Sequence, residues 1–378
     1  MNSRISIVKC NSYAPDIIEE KLRKAINLIG GIEKFIKPQS KVLLKPNLLM
    51  AIEPESAVDT HPEVVRGVIK ILKEINCKIF VGDGPSAWGG EMENVDEVYR
   101  RSGIRQVCEE EGVELVKFEN NRWRRRLLLT TWLDHCEYVV NLPKFKTHDF
   151  TILTAAIKNL FGLVAARYKM QLHKEYFKPQ DFSRVLVDIY EEVRPALTIV
   201  DAIVAMEGDG PATSGKPRKL NLLLAGSDGV AIDSVLALIM GLRPKDILTN
   251  KLAAARGLGI ADIEHINILG EKLEEIIPDR PFQLPAISMI RKIPLPLVNL
   301  AKKFIKYYPL IIDNNCLRCG SCIKACPKQA ISMEFLSEYN SRIKFDYQKC
   351  ISCFCCQEAC PHSAIKVKKS LLAKIVGL

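Results

Sequence analysis

Hydrophobic and polar positions in residues 1–285 follow two periods that alternate along the chain. Arg4–Val8 alternates as a short strand, and Val42–Leu44 is an apolar run leading into Lys45-Pro46-Asn47. Val64, Val65, Val68, Ile69, Ile71 and Leu72 then recur at helical spacing. Ahead of them stands Asp59-Thr60-His61-Pro62, so Thr60 or Asp59 is the expected cap and Pro62 belongs to the first turn. Lys78–Val81 is again strand-like and ends in Gly82-Asp83-Gly84-Pro85. Strand, helix and strand with short links predict a βαβ unit and parallel pairing. Tyr138–Leu142, Leu197–Val200, Leu222–Ala225 and Ile266–Leu269 read as further strands. Thr151–Leu160, Asp228–Met240 and Thr249–Arg256 read as helices. The fold class is α/β, a mostly parallel sheet flanked by helices.

Beyond residue 285 the pattern breaks. Prolines recur at 281, 285, 294, 296 and 309, around a short basic amphipathic helix predicted over Leu297–Tyr307. We therefore expect a linker and docking helix over 286–310, a small α+β cysteine-rich domain over 311–368, and a basic amphipathic tail over 369–378. Within the small domain, Met333 and Phe335, then Ile343 and Phe345, alternate around Asn340-Ser341 and predict a hairpin.

Composition adds a compartment and excludes some partners. No segment reaches the ~18–20 apolar residues of a membrane-spanning helix. The opening MNSRISIVKC lacks the apolar core of a signal peptide. A cytoplasmic protein is expected. The net charge of +10 gathers in Arg122–Arg126, in the acid-free stretch Arg291–Lys306, and in Lys366–Lys374. We read these as solvated faces, with peripheral contact to an anionic membrane the sharper expectation for the last two. Nucleic acid is not an expected partner. Of thirteen cysteines, Cys10, Cys77, Cys108 and Cys136 are scattered in apolar surroundings and read as small buried hydrophobes. The other nine lie between Cys316 and Cys360.

Those nine contain an internal repeat. Cys316-Leu-Arg-Cys319-Gly-Ser-Cys322-Ile-Lys-Ala-Cys326-Pro327 is matched by Cys350-Ile-Ser-Cys353-Phe-Cys355-Cys356-Gln-Glu-Ala-Cys360-Pro361, and each is followed by an Ala-Ile. In C-x2-C-x2-C-x3-C-P, three cysteines wrap one cubane and the fourth serves the other. Cys316, Cys319, Cys322 and Cys360 are thus expected to hold one [4Fe–4S] cluster, and Cys350, Cys353, Cys356 and Cys326 the second. Zinc knuckles use two pairs of ligands rather than two matched quartets. Over 311–368 the chain resembles the two-cluster bacterial ferredoxins. Cys355 is an extra thiol, read as a packing residue with a substitute ligand as the alternative. The domain has a slight excess of basic residues, which suits a fixed module better than a mobile carrier.

In the larger domain, polar residues cluster where strands end. In open α/β sheets ligands bind beyond the carboxyl ends of strands. Lys45 and Asn47, Asp83, Lys146 and His148, Lys158 and Asn159, Asp201 and Glu207 are the candidates. Lysines would hold an anion as point charges. Asp83, Asp201 and Glu207 could bind a divalent metal or move protons. No P-loop and no G-x-G-x-x-G fingerprint is present.

These runs carry a resemblance. Lys45-Pro46-Asn47, Gly82-Asp83-Gly84-Pro85, Pro143-Lys-Phe-Lys-Thr-His148, Ile157-Lys-Asn-Leu-Phe-Gly162 and Met206-Glu-Gly-Asp-Gly-Pro211 resemble the domain of unknown function 362 family, over about residues 35–240. Members often carry a C-terminal two-cluster ferredoxin, so the resemblance implies an architecture rather than a reaction. The domain is also distantly similar to the lactate racemase fold, without that family's pattern around its nickel-pincer cofactor. The expected function is an iron–sulfur oxidoreductase. Its electron donor or acceptor would be a protein such as a soluble ferredoxin. Lys146, Lys158 and Lys45 would bind a small anionic substrate, and His148 is the candidate proton donor. The alternative is a non-enzymatic electron-transfer or assembly subunit whose α/β domain docks a partner.

Overall fold

A computed structural model describes residues 2–85, 87–88, 91–92, 94–285, 307–337 and 340–370. The docking helix predicted over Leu297–Tyr307 lies outside the described residues except for Tyr307, which is strand, and so does the tail beyond 370.

The large sheet is built from β1 (Ser3–Lys9), β2 (Lys41–Pro46), β3 (Lys78–Val81), β4 (Glu114–Leu115), β5 (Tyr138–Leu142), β6 (Lys144–His148), β7 (Ile152–Thr154), β8 (Leu197–Gly208), β9 (Gly215–Gly226) and β10 (Ile266–Gly270). The main path runs β10-β1-β9-β8-β5-β2-β3-β4, with β6 attached to β8 and β7 to β6. Pairing is parallel except at β1–β9, β8–β9 and β6–β7. Period-two burial divides the core. Val42, Leu44, Leu223 and Ala225 pack with the helices Pro15–Leu28 and Pro62–Glu74. Their strand neighbours Leu43, Leu222 and Leu224 face the other way, toward the helices Pro179–Val193 and Gly229–Ile239.

The predicted helix over 64–72 spans Pro62–Glu74, but its cap is His61, whose Nδ1 accepts from Glu63 N at 3.3 Å. Thr60 and Asp59 are drawn away by the neighbouring loop. Thr60 Oγ1 accepts from Asn47 N and donates to Leu142 O, and Asp59 Oδ1 accepts from Leu49 N. The helix expected over 151–160 is instead β7, then the single turn Ala156–Asn159 and a 3₁₀ turn at Leu160–Leu163. Lys146 and His148 supply ladder partners for Thr154 and Ile152, so tertiary pairing overrides local helical spacing. The strand expected to end at Val200 continues to Gly208, which puts Asp201 inside it.

The C-terminal domain has β11 (Tyr307–Ile311) paired with β14 (Ile365–Lys369), and the hairpin β12 (Ile331–Ser337) with β13 (Asn340–Phe345). It begins four residues before the expected boundary at 311, because Tyr307 already pairs with Lys369. Asn340 opens β13 rather than forming the turn. The domain is tied to the large one at Thr213. Thr213 Oγ1 donates to Cys360 O at 2.9 Å, and Ser363 Oγ donates to Thr213 O at 2.8 Å. No helix among the described residues is long and apolar enough to cross a membrane.

Candidate functional site

The cysteine repeat folds into two matching cradles. Cys316, Cys319, Cys322 and Cys360 line one cavity; Cys326, Cys350, Cys353 and Cys356 line another. Backbone in the left-handed region recurs at matching positions: Arg318 and Ser352, Gly320 and Phe354, Gln329 and Ser363. Such turns aim backbone N–H groups inward. Ala330 N donates to Cys326 Sγ and Ala364 N to Cys360 Sγ, both at 3.2 Å. Burial, and then the nearby Cys360, Cys316 and Cys319, push the Cys322 thiol up to about 12. Four converging thiols with inward N–H groups fit a cluster that takes thiolate ligands and sulfide acceptors.

The four scattered cysteines are different. Burial raises all four thiols, Cys108 and Cys136 to about 12. Such thiols stay protonated and behave as small packing groups.

The second site is a cavity of about 100 Å³ between the two domains. A water needs only ~10–15 Å³, so it has room for a small molecule. The strand ends supply Asn47, Asp83, Lys146, His148 and Thr154; the turn Ala156–Asn159 supplies Lys158 and Asn159; and the helix Ala166–Glu175 supplies Lys169 and His173. Ala325, Pro327, Cys355 and Glu358 of the cysteine-rich domain close the other side. Cys355 therefore faces this cavity and lines neither cradle.

Lysine charge dominates the walls. Lys158 Nζ sits 4.8 Å from the Phe161 ring and 5.7 Å from Phe182, with no hydrogen bond among the described residues. Lys146 Nζ donates to Val58 O at 2.6 Å, and Lys169 Nζ to Gly84 O and Pro85 O. Burial lowers all three ammonium groups, Lys146 and Lys169 to about 7 and Lys158 to about 8. Burial also holds His173, stacked on Phe182 at 4.6 Å, neutral down to about 3, helped by Lys158 and Lys169. Burial raises the Glu358 carboxyl to about 7 against the pull of Lys158 and Lys146. His148 Nδ1 accepts from Phe150 N at 3.0 Å, which leaves Nε2 to carry the proton, 3.8 Å from Glu358 Oε1. Asn47 Oδ1 and Thr154 Oγ1 are buried without a hydrogen-bond partner among the described residues. Buried polar atoms are normally paired, so both mark places for a ligand or water.

Several expected residues are used otherwise. Lys45 is enclosed, with Nζ 2.6 Å from Asp83 Oδ1, and it also donates to Pro46 O and Asn159 Oδ1. Asn159 Nδ2 in turn donates to Asn141 Oδ1 and Lys45 O, so Asn159 clamps strands together. Asp201 accepts from Tyr13 OH, Lys144 Nζ and His61 N. Glu207 is held by Arg218, Arg280 and Gln283 N. Asp83, Asp201 and Glu207, read as able to bind a divalent metal or move protons, thus have three separate sets of partners. Among the described residues, no three His, Cys, Asp or Glu side chains are placed to hold one metal ion. Lys169, His173, Phe161 and Thr154 escaped the sequence reading. The only signal was the i, i+4 spacing of Lys169 and His173 on a polar helix.

Residues 42–237 match the model of the family described as domain of unknown function (DUF362), and 315–364 match that of a 4Fe-4S dicluster domain. A thylakoid-associated protein of Synechocystis sp. (strain ATCC 27184 / PCC 6803 / Kazusa) is 32% identical over 315 residues, covering 82% of this chain and 95% of that protein. Among solved structures, the lactate racemase apoprotein from Thermoanaerobacterium thermosaccharolyticum aligns with TM-score 0.39 and 16% identity. That alignment covers 64% of this chain and 57% of that one.

Proposed function

Because this chain belongs to the DUF362 family and ends in a 4Fe-4S dicluster domain, we propose that it is an oxidoreductase acting on a small anionic substrate in the lysine cavity. The observation that carries this reading is the shared wall. Cys355 and Glu358, from the loop of the second cysteine quartet, face Lys146, Lys158 and Lys169 across one cavity.

In this reading Cys316, Cys319, Cys322 and Cys360 hold one cluster, and Cys350, Cys353, Cys356 and Cys326 the other. The clusters supply one-electron transfer when bound. Lys158 binds the anion, since its ammonium has no hydrogen-bond acceptor among the described residues. Lys146 and Lys169, anchored on backbone carbonyls, add positive charge. His148 presents a proton on Nε2. Phe161 and Phe182 exclude water around Lys158 and strengthen its attraction for an anion.

Three measurements test the reading. Anaerobically reconstituted chain should hold about eight irons, and Cys360→Ala should lower the count toward about half, with loss of one reduced-cluster EPR signal. Zinc in place of iron would sink the cluster assignment. Small molecules co-purifying under anaerobic conditions should be anions, as identified by mass spectrometry. If the chain reduces a partner protein at the same rate with Lys158→Ala, the electron-transfer-subunit reading takes over.

The relative's thylakoid association also supports peripheral contact of this chain with an anionic membrane. The acid-free stretch Arg291–Lys306 is the segment we propose for it. The chain should sediment with phosphatidylserine vesicles and not with neutral ones, and be released by salt.

A further inference from the structure

The two halves of the cysteine repeat share a fold but not an environment, and the difference is informative. In the second loop Ile351 and Ser352 are partly covered and Phe354 is 2% exposed. At the matching positions of the first loop Leu317 is 69% exposed, Arg318 is exposed, and Gly320 has no side chain to cover anything. Cys319 is exposed, while its counterpart Cys353 is partly covered. The loop of the second cradle is covered beside the lysine cavity; the loop of the first faces outward.

The hairpin extends the open face. Ile331, Met333 and Phe335 alternate along one face of β12. Ile331 lines the second cradle, and Met333 pairs with Ile343, which lines the first. Phe335 is the next step along this stripe, beyond the first cradle, and is 75% exposed. The apolar stripe that covers both cradles therefore runs out into solvent beside the first one.

Charge selects the occupant. Residues 307–370 contain nine Lys and Arg against five Asp and Glu. Glu334, on the hairpin, is already paired with Arg342 and Lys344. Arg318, on the wall of the first cradle, is exposed and has no ion pair among the described residues. Exposed apolar side chains beside an unpaired arginine, in a domain with net positive charge, suit a transient encounter with an acidic protein.

We propose that Leu317, Arg318 and Phe335 form the docking face for a small acidic iron–sulfur carrier protein, which exchanges electrons with this chain at the first cysteine quartet. Each encounter moves one electron. A reduced carrier leaves oxidised by one electron, the cluster held by the first quartet is reduced by one, and no covalent bond forms or breaks. The inference rests on the dicluster domain and not on the substrate of the lysine cavity, so either can fail alone.

The test uses the full chain, reconstituted with iron and sulfide, and a purified acidic two-cluster ferredoxin as the probe. Stopped-flow absorbance gives the reduction rate, and calorimetry gives the affinity of the oxidised pair. The wild-type rate should fall steeply as ionic strength rises from about 0.05 to 0.5 M. Arg318→Glu and Phe335→Ser should each slow reduction by ferredoxin about tenfold and weaken binding, with dithionite reduction and iron content unchanged. Phe335 is not near a ligand in sequence, so Phe335→Ser decides alone if Arg318→Glu loses iron. Equal rates for Phe335→Ser and wild type, or equal rates with a basic carrier, would overturn the proposal.

Discussion

Asp83→Ala is expected to destabilise the large domain by about 3–5 kcal/mol, because it strands a buried lysine. Lys45 and Asp83 are 0% and 1% exposed, and their charged atoms lie 2.6 Å apart. Burial already lowers the Lys45 ammonium from its ordinary value, with Asp83 the main opposing influence. Without the carboxylate, only Pro46 O and Asn159 Oδ1 remain as acceptors. Asp83 also accepts from Leu48 N and Gly84 N, so two backbone donors lose their partner as well. Gly162→Ala should act on the same pair from outside. A Cβ there would fall 2.0 Å from Asp83 Oδ1 and 2.6 Å from Lys45 Nζ. Replacing both charges with apolar groups of similar size should recover much of the loss. Denaturant midpoints at constant slope measure all three. A loss below about 1 kcal/mol for Asp83→Ala would mean that the pair is solvated.

Lys158→Ala should remove the anion site while leaving the fold intact. Lys146 and Lys169 bond to backbone carbonyls, so their loss would disturb the structure as well as the charge. Lys158 Nζ rests over the Phe161 and Phe182 rings and makes no hydrogen bond among the described residues. A hydrogen bond to a charged group contributes about 1.5–3 kcal/mol, so Lys158→Ala should weaken a bound carboxylate roughly 10- to 150-fold. A panel of small carboxylates, phosphate and sulfate, screened by the rise in melting temperature, gives the readout. An unchanged shift in Lys158→Ala would remove Lys158 from the site.

The pH dependence has a definite sign. The ammonium of Lys158 titrates near 8, and those of Lys146 and Lys169 near 7, so the empty cavity loses positive charge as pH rises through 7 to 8. Among the groups facing Lys158, Glu358 and then Cys355 favour its charge, while Lys45 opposes it and Lys146 and Lys169 add like charge. Anion affinity should therefore fall across that window. Stability of the empty protein should move the other way. These folded-state values lie below the unfolded 10.5, so between them the unfolded chain binds more protons and stability rises with pH.

Short-range information was enough for much of this protein. Cysteine spacing gave the two quartets, because a three-residue loop geometry is local and the crossing fourth ligand follows from it. Period-two and helical spacing gave most strands and the helix at Pro62–Glu74, because one-sided burial writes itself into the order of residues. Lys146, His148 and Lys158 could be placed near one crevice because polar residues beyond apolar strands have few other places to go.

What the tertiary structure alone decided is which polar residue faces a ligand and which faces another part of the chain. Lys45, Asp201 and Glu207 look like site residues in sequence, yet each is consumed by a partner far away in the chain: Asp83, Lys144 and Arg218. Lys169 and His173 look unremarkable, yet packing turns them into the cavity. A lysine's sequence neighbours do not determine whether its charge is neutralised; that depends on which carboxylate the folded chain brings within 3 Å. The same holds for the two cradles. Their sequences are nearly equivalent, and only the docking of the second loop against the lysine cavity covers that loop while the first stays exposed.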